Sequence, residues 1–126
     1  MSKKQAFTVE YTIKSSPGIL YSFLTTPSNL AQWFADAVDI TEDECIFTWN
    51  GSSETAYILE TIEDEMVRYR WEDSPEDEYF EFKITKSEIT NDTILTITDF
   101  AEDYELDDQK LLWDSQIKTL TIRIGG

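Results

Sequence analysis

Glu60 and Asp99 are the acidic side chains whose strand spacing could turn a carboxylate toward an apolar interior. Glu60 alternates with Ala56, Ile58 and Ile62, and Asp99 follows Leu95 and Ile97 at alternate positions. A carboxyl group held among apolar side chains loses solvation, its pKa rises, and it can then serve as a general base. On the other parity of the strand Glu60 is a solvated surface acid, and Asp99 carries the same alternative. Neither has a partner identifiable from the sequence. Arg68 and Arg70 share one parity of the segment Met66 to Glu72. Their guanidinium forks suit a carboxylate ligand. The plainer reading is exposed ion pairs with neighbours such as Glu81, each worth under about 1 kcal/mol.

Other chemistry is scarce. The chain has one cysteine, Cys45, and no histidine. Lack of histidine removes the commonest general base, the commonest zinc ligand and every Ser-His or Cys-His nucleophilic pair. Cys45 has no basic neighbour to stabilise a thiolate, so it reads as a small buried hydrophobe or a strand-edge residue. The acidic runs Glu42-Asp43-Glu44, Glu76-Asp77-Glu78 and Asp107-Asp108 lack the spacing and glycine of an EF-hand loop and read as solvated faces. No catalytic residue, metal or cofactor is assigned.

The 126 residues include 26 Asp and Glu against 10 Lys and Arg, a formal net charge of -16. Such an excess repels nucleic acid phosphates and anionic headgroups, so neither nucleic acid nor membrane insertion is expected. Hydrophobic residues make up 40% and aromatics 13%, enough for one domain over residues 1–126 that folds without disulfide or metal. The start MSKKQAFTVE lacks the apolar run of a signal peptide or membrane helix, so the expected location is cytoplasmic.

These residues need elements to position them. Phe7, Val9, Tyr11 and Ile13 alternate with polar residues, which predicts a strand with one wet face. Ser16-Pro17 and Thr26-Pro27-Ser28 are helix-start signals, the first before Ile19, Leu20, Phe23 and Leu24, the second before Leu30, Trp33 and Phe34. Two short helices in tandem follow from them. Period-two segments then recur: Ala37 to Thr41 as an edge strand, Cys45 to Trp49, Thr55 to Ile62, Met66 to Glu72, Tyr79 to Lys86 and Thr93 to Phe100. Asp73 to Glu78 reads as a hairpin loop. Trp113, Ile117, Leu120 and Ile124 form an apolar helical stripe that could fray or turn extended near Thr121, with Gly125-Gly126 ending it. An antiparallel sheet whose apolar face is covered by one long C-terminal helix leaves a wedge-shaped gap. Trp33 and Phe34 are expected to face it.

Four stretches, FTVEYTIKSSPGILYSFLTTPSNLAQWF, TWNGSSETAYILETIEDEMVRYRWED, TILTITDFA and LLWDSQIKTL, resemble in their order the START-like, or SRPBCC, helix-grip superfamily. Its branch related to the activator of the heat-shock ATPase is the nearest. The likeness runs from Phe7 to about Leu120. It implies an α+β fold: a curved antiparallel sheet of six to seven strands, two short helices after the first, and a long C-terminal helix gripped around a cavity. It further implies binding of lipids, sterols, polyketides or other apolar compounds.

Val67, Tyr69 and Trp71 on one strand, and Phe80, Phe82 and Ile84 on the next, would face the C-terminal helix. With Trp33, Phe34, Trp49, Leu95, Trp113 and Ile117, these aromatic and apolar side chains either line a ligand cavity or fill a close-packed core. The expected function is non-enzymatic binding of a small hydrophobic or amphipathic, lipid-like molecule. The alternatives are a protein-interaction or chaperone-regulator-like domain, and a cyclase or hydrolase using Glu60 or Asp99.

Overall fold

Alternation along the chain becomes a single open sheet in the computed structural model, which describes residues 4–125. Met1 to Lys3 of the polar start and Gly126 of the terminal glycine pair lie outside the described residues. The element order is β1 (Gln5–Ile13), α1 (Pro17–Thr25), α2 (Pro27–Leu30), β2 (Ala37–Thr41), β3 (Glu44–Trp49), β4 (Ser52–Ile62), β5 (Met66–Trp71), β6 (Phe80–Lys86), β7 (Thr93–Ala101) and α3 (Leu106–Ile124), with a 3-10 turn at Asp103–Glu105. All pairings are antiparallel in the order β1-β7-β6-β5-β4-β3-β2. The fold is α+β, with β1 and β2 as the edges.

Local chemistry explains the boundaries. Ser16 caps α1 by accepting the Ile19 N–H at 3.3 Å, and Pro17 supplies a helical φ where no N–H is needed. The second helix is shorter than the spacing predicts. Leu30 O accepts the N–H groups of Trp33, Phe34 and Ala35, which closes α2 after one turn and leaves Trp33 and Phe34 in the bend beyond it. Asp36 N–H then pairs with Thr48 O and the chain enters β2. Thr26 makes no side-chain cap. At the other terminus α3 does not fray near Thr121. It runs to Ile124, and Gly125 at φ 87° supplies the left-handed cap.

The inward face of the sheet carries Phe7 and Ile13, Cys45 and Phe47, Ala56, Val67 and Tyr69, Phe80, Phe82 and Ile84, Leu95 and Ile97, all buried. Leu20 and Leu24 of α1 and Trp113, Ile117 and Leu120 of α3 close over them. Buried polar handles tie the layers together: Tyr69 Oη–H donates to Leu24 O at 2.6 Å, and Trp33 Nε1–H to Phe23 O at 2.8 Å. Tyr11 Oη–H on the edge strand donates to Asp114 of α3 at 2.6 Å.

One strand changes phase midway. Ile58 pairs with the inward Tyr69, but the next pair is Glu60 with the outward Arg68, so a β-bulge absorbs Leu59. Glu60 is therefore exposed on the outer face, not beside Ala56 and Ile58 as strict alternation allows.

Candidate functional site

A cleft of about 450 Å³ opens between one end of the sheet and α3. Antiparallel pairing brings the last residues of β3 and β5 beside the first of β6. Trp49, Trp71 and Phe80 accordingly meet there, and Phe34 reaches in from the bend after α2. On the helix side Gln109, Leu112, Trp113 and Gln116 fall at i, i+3, i+4 and i+7, one face of α3. Glu54 and Asp99 complete the lining.

The aromatic rings brace one another. Phe34 stacks on Trp113 at 6.1 Å between ring centroids and meets Trp49 edge-on at 5.5 Å. Trp71 stacks on Phe80 at 5.0 Å. The Phe34 carbonyl accepts the Trp49 indole N–H at 2.8 Å and the Gln116 amide at 3.4 Å, so one backbone oxygen joins β3 and α3. Trp113 Nε1–H donates to Asp99 Oδ2 at 2.9 Å. Of the four indoles only Trp71 has no hydrogen-bond partner among the described residues, and it is half-buried at the cleft.

Asp99 points inward near the end of β7. Burial pushes its carboxyl above the usual carboxylate range, opposed by the N–H groups of Phe100 and Trp113. It also borders a smaller chamber of about 140 Å³, which shares Trp71 and Gln109 with the main cleft and adds Lys4, Glu78, Tyr79 and Glu105.

The sequence-derived site residues divide into two groups. Phe34, Trp49, Trp71, Phe80 and Trp113 line the cleft. Tyr69, Phe82, Leu95 and Ile117 do not; they lie one or two pairs further along their strands, or a turn further along α3, at 0–3% exposure. Trp33 turns away as well, its ring packed edge-on against Phe82 at 5.9 Å and its N–H spent on Phe23. Of the pair Phe34 alone lines the main cleft, and Trp33 borders a neighbouring hollow with Asp36, Thr119 and Arg123. Arg68 is no clamp: Glu81 holds it at 2.6 Å on the outer face, and it lies over the Tyr79 ring at 4.4 Å. Cys45 is fully buried. Burial, with Asp43 and Glu44 nearby, pushes its thiol up to about 11.

Glu54 and Gln109 were not singled out from the sequence. β4 begins at Ser52, earlier than the alternation starting at Thr55 suggests, and pairing with the inward Phe47 puts Glu54 on the cleft face. Gln109 could have been found as the residue one turn before Trp113 on the same helical face. Among the described residues no group of three or more His, Cys, Asp or Glu is placed to hold a metal ion, and no helix is long and apolar enough to cross a membrane.

Comparison with known proteins places this arrangement. The START-like superfamily domain matches residues 1–126. The chain belongs to that superfamily. Among solved START-like structures, the solution structure of a Bacteroides fragilis protein is 36% identical, with a TM-score of 0.70 over 100% of this chain and 94% of that one. The Aha1 dimer from Colwellia psychrerythraea shares the fold at 19% identity and a TM-score of 0.77, covering 93% of each chain. A Mesorhizobium loti protein shares it at 17% identity and a TM-score of 0.75, over 93% of this chain and 94% of that one. No curated protein matches the chain.

Proposed function

We propose that this START-like domain is a non-enzymatic binding module that holds a small hydrophobic or amphipathic molecule in the cleft between the sheet and α3. The observation that carries the reading is the cleft itself. It has about 450 Å³ of space walled by Phe34, Trp49, Trp71, Phe80 and Trp113, within the range of about 300–1,000 Å³ usual for small-molecule sites. Most of its aromatic N–H groups already bond to protein, so those rings offer faces rather than hydrogen bonds. The free Trp71 N–H, the two glutamines and the two acids supply orientation. Membership of a superfamily that binds apolar compounds agrees with this.

Reaction chemistry has little support. Glu60 is outside the cleft, Asp99 is engaged with Trp113, and Glu54, the other cleft acid, is exposed.

Native mass spectrometry of gently purified protein, with denaturing analysis of released material, tests the proposal. A discrete co-purified small molecule that is lost from Trp71→Ala supports it. Retention of that molecule at full occupancy by Trp71→Ala overturns the cleft as its site.

A second reading is favoured by the charge of -16 and by Leu111 and Ile122, exposed on α3 at 64% and 70%: docking of a basic protein surface. Capture of a partner that weakens with added salt supports it. Salt-independent capture counts against it.

A further inference from the structure

We propose that the cleft selects hydrophobic organic cations, an amine or quaternary ammonium carried on an aromatic or aliphatic body, over carboxylates of the same shape. This rests on the reading of the cleft as a ligand site. Among the described residues the charged side chains lining the main cleft, Glu54 and Asp99, are both acids, and no lysine or arginine is among its walls. Among the described residues of the two adjoining hollows, Lys4 meets Glu78, Asp99 and Glu105, with its ammonium 4.0 Å from Glu78, and Arg123 shares the other hollow with Asp36. The arginines of β5 are on the opposite face of the sheet, where Glu81 holds Arg68.

An anionic headgroup entering here would lose water and meet Glu54 and Asp99 as the charged side chains of the lining, like-charged neighbours that are costly in a low dielectric, with only the neutral Trp71 N–H and glutamine amides as donors. A cation meets the reverse. Trp71 stacks with Phe80 at an interplanar angle of 29°, Trp49 is tilted 57° to Trp71, and Phe34 stacks with Trp113 at 21°. These rings pack on one another as well as line the cleft, and a desolvated cation placed over any face left open to it is attracted through the ring quadrupole. Asp99 and Glu54 add charge complementarity at opposite sides of the lining.

The test uses three probes of one shape, naphthylmethylamine, naphthalenemethanol and naphthaleneacetate, titrated calorimetrically into the full chain at physiological salt. The expected result is amine tighter than alcohol by about tenfold, with the acid weakest. Glu54→Gln and Asp99→Asn should each shrink the amine-to-alcohol ratio severalfold. Because each removes one charge from an excess of sixteen, general attraction of cations to the protein would barely change. Glu54 is exposed, so Glu54→Gln carries the test even if Asp99→Asn folds poorly.

A ratio unchanged in both variants would assign the preference to overall charge and overturn the inference. Equal binding of all three probes would also overturn it while leaving the cleft reading standing. Tightest binding of the acid contradicts it directly, and binding of none removes both the inference and the reading beneath it.

Discussion

The indole N–H of Trp113 on α3 and the carboxylate of Asp99 on β7 form a 2.9 Å hydrogen bond that locks the helix to the sheet at the edge of the cleft. Truncation by Asp99→Ala leaves that N–H unpaired and should cost about 1–3 kcal/mol. Asp99→Asn keeps an acceptor and should cost less. The pH dependence separates the two roles of the acid. Its folded pKa is raised above the ordinary 3.8, so the folded state holds the proton more tightly than the unfolded chain. The associated stability is fully present below 3.8 and is lost as pH rises through the folded value. Urea unfolding from pH 3 to 7 should therefore show the wild type losing stability relative to Asp99→Asn as pH rises. A constant difference would count against a raised carboxyl.

Tyr69 and Trp71 share a face of β5, yet they should behave oppositely. Tyr69→Phe removes a buried 2.6 Å bond to Leu24 O and should lower stability by about 1–2 kcal/mol with ligand affinity unchanged. Trp71→Ala removes a half-buried wall of the cleft and should weaken ligand binding about tenfold or more, with the cooperative unfolding transition retained. Calorimetry on the amine probe and urea titration of both variants measure the contrast.

Which of these residues face inward was legible; how deep they lie was not. Alternation in β1 and β6 and the Trp113-Ile117-Leu120 stripe identified the buried faces because each element is regular along its length, whereas on β7 the sequence left Asp99 open between the inward and the solvated side. Tyr69 lies under α1, whose Leu24 carbonyl takes its hydroxyl, whereas Trp71 lies at the open end of the strand, and no periodicity encodes where a helix departs from a sheet. Trp33 was misplaced for a related reason. Helical spacing continued to Phe34, but three N–H groups converging on Leu30 O ended the helix first.

Cys45 should be silent toward a thiol reagent. Its side chain is fully buried and its pKa is raised from 9.0 to about 11, so at pH 8 both access and thiolate are lacking. A disulfide reagent should label the folded protein only as fast as it unfolds, and the urea-unfolded chain within seconds. Stability linked to this thiol is present below pH 9 and is lost between 9 and about 11. Rapid stoichiometric labelling of the folded protein would contradict the burial.

The β3–β4 turn gives a measure of pure backbone strain. Asn50 and Gly51 have φ of 48° and 81°, the left-handed pair a two-residue hairpin loop requires. A Cβ on Gly51 would meet nothing within 4 Å. Gly51→Ala should thus cost about 1–2 kcal/mol through conformation alone. Thermal unfolding should show the loss, and no change would mean the loop relaxes into another turn.

The extra residue in β4 acts as an insulator. Were the strand to pair without the bulge, Leu59 would take the place opposite Arg68 and Glu60 would follow it opposite Val67, on the buried face of the sheet. The bulge at Leu59 thus keeps an acid out of the interior without altering any residue there. Deletion of Leu59 should therefore leave Glu60 opposite Arg68, whereas regular pairing of the full-length strand would need an apolar residue in place of Glu60.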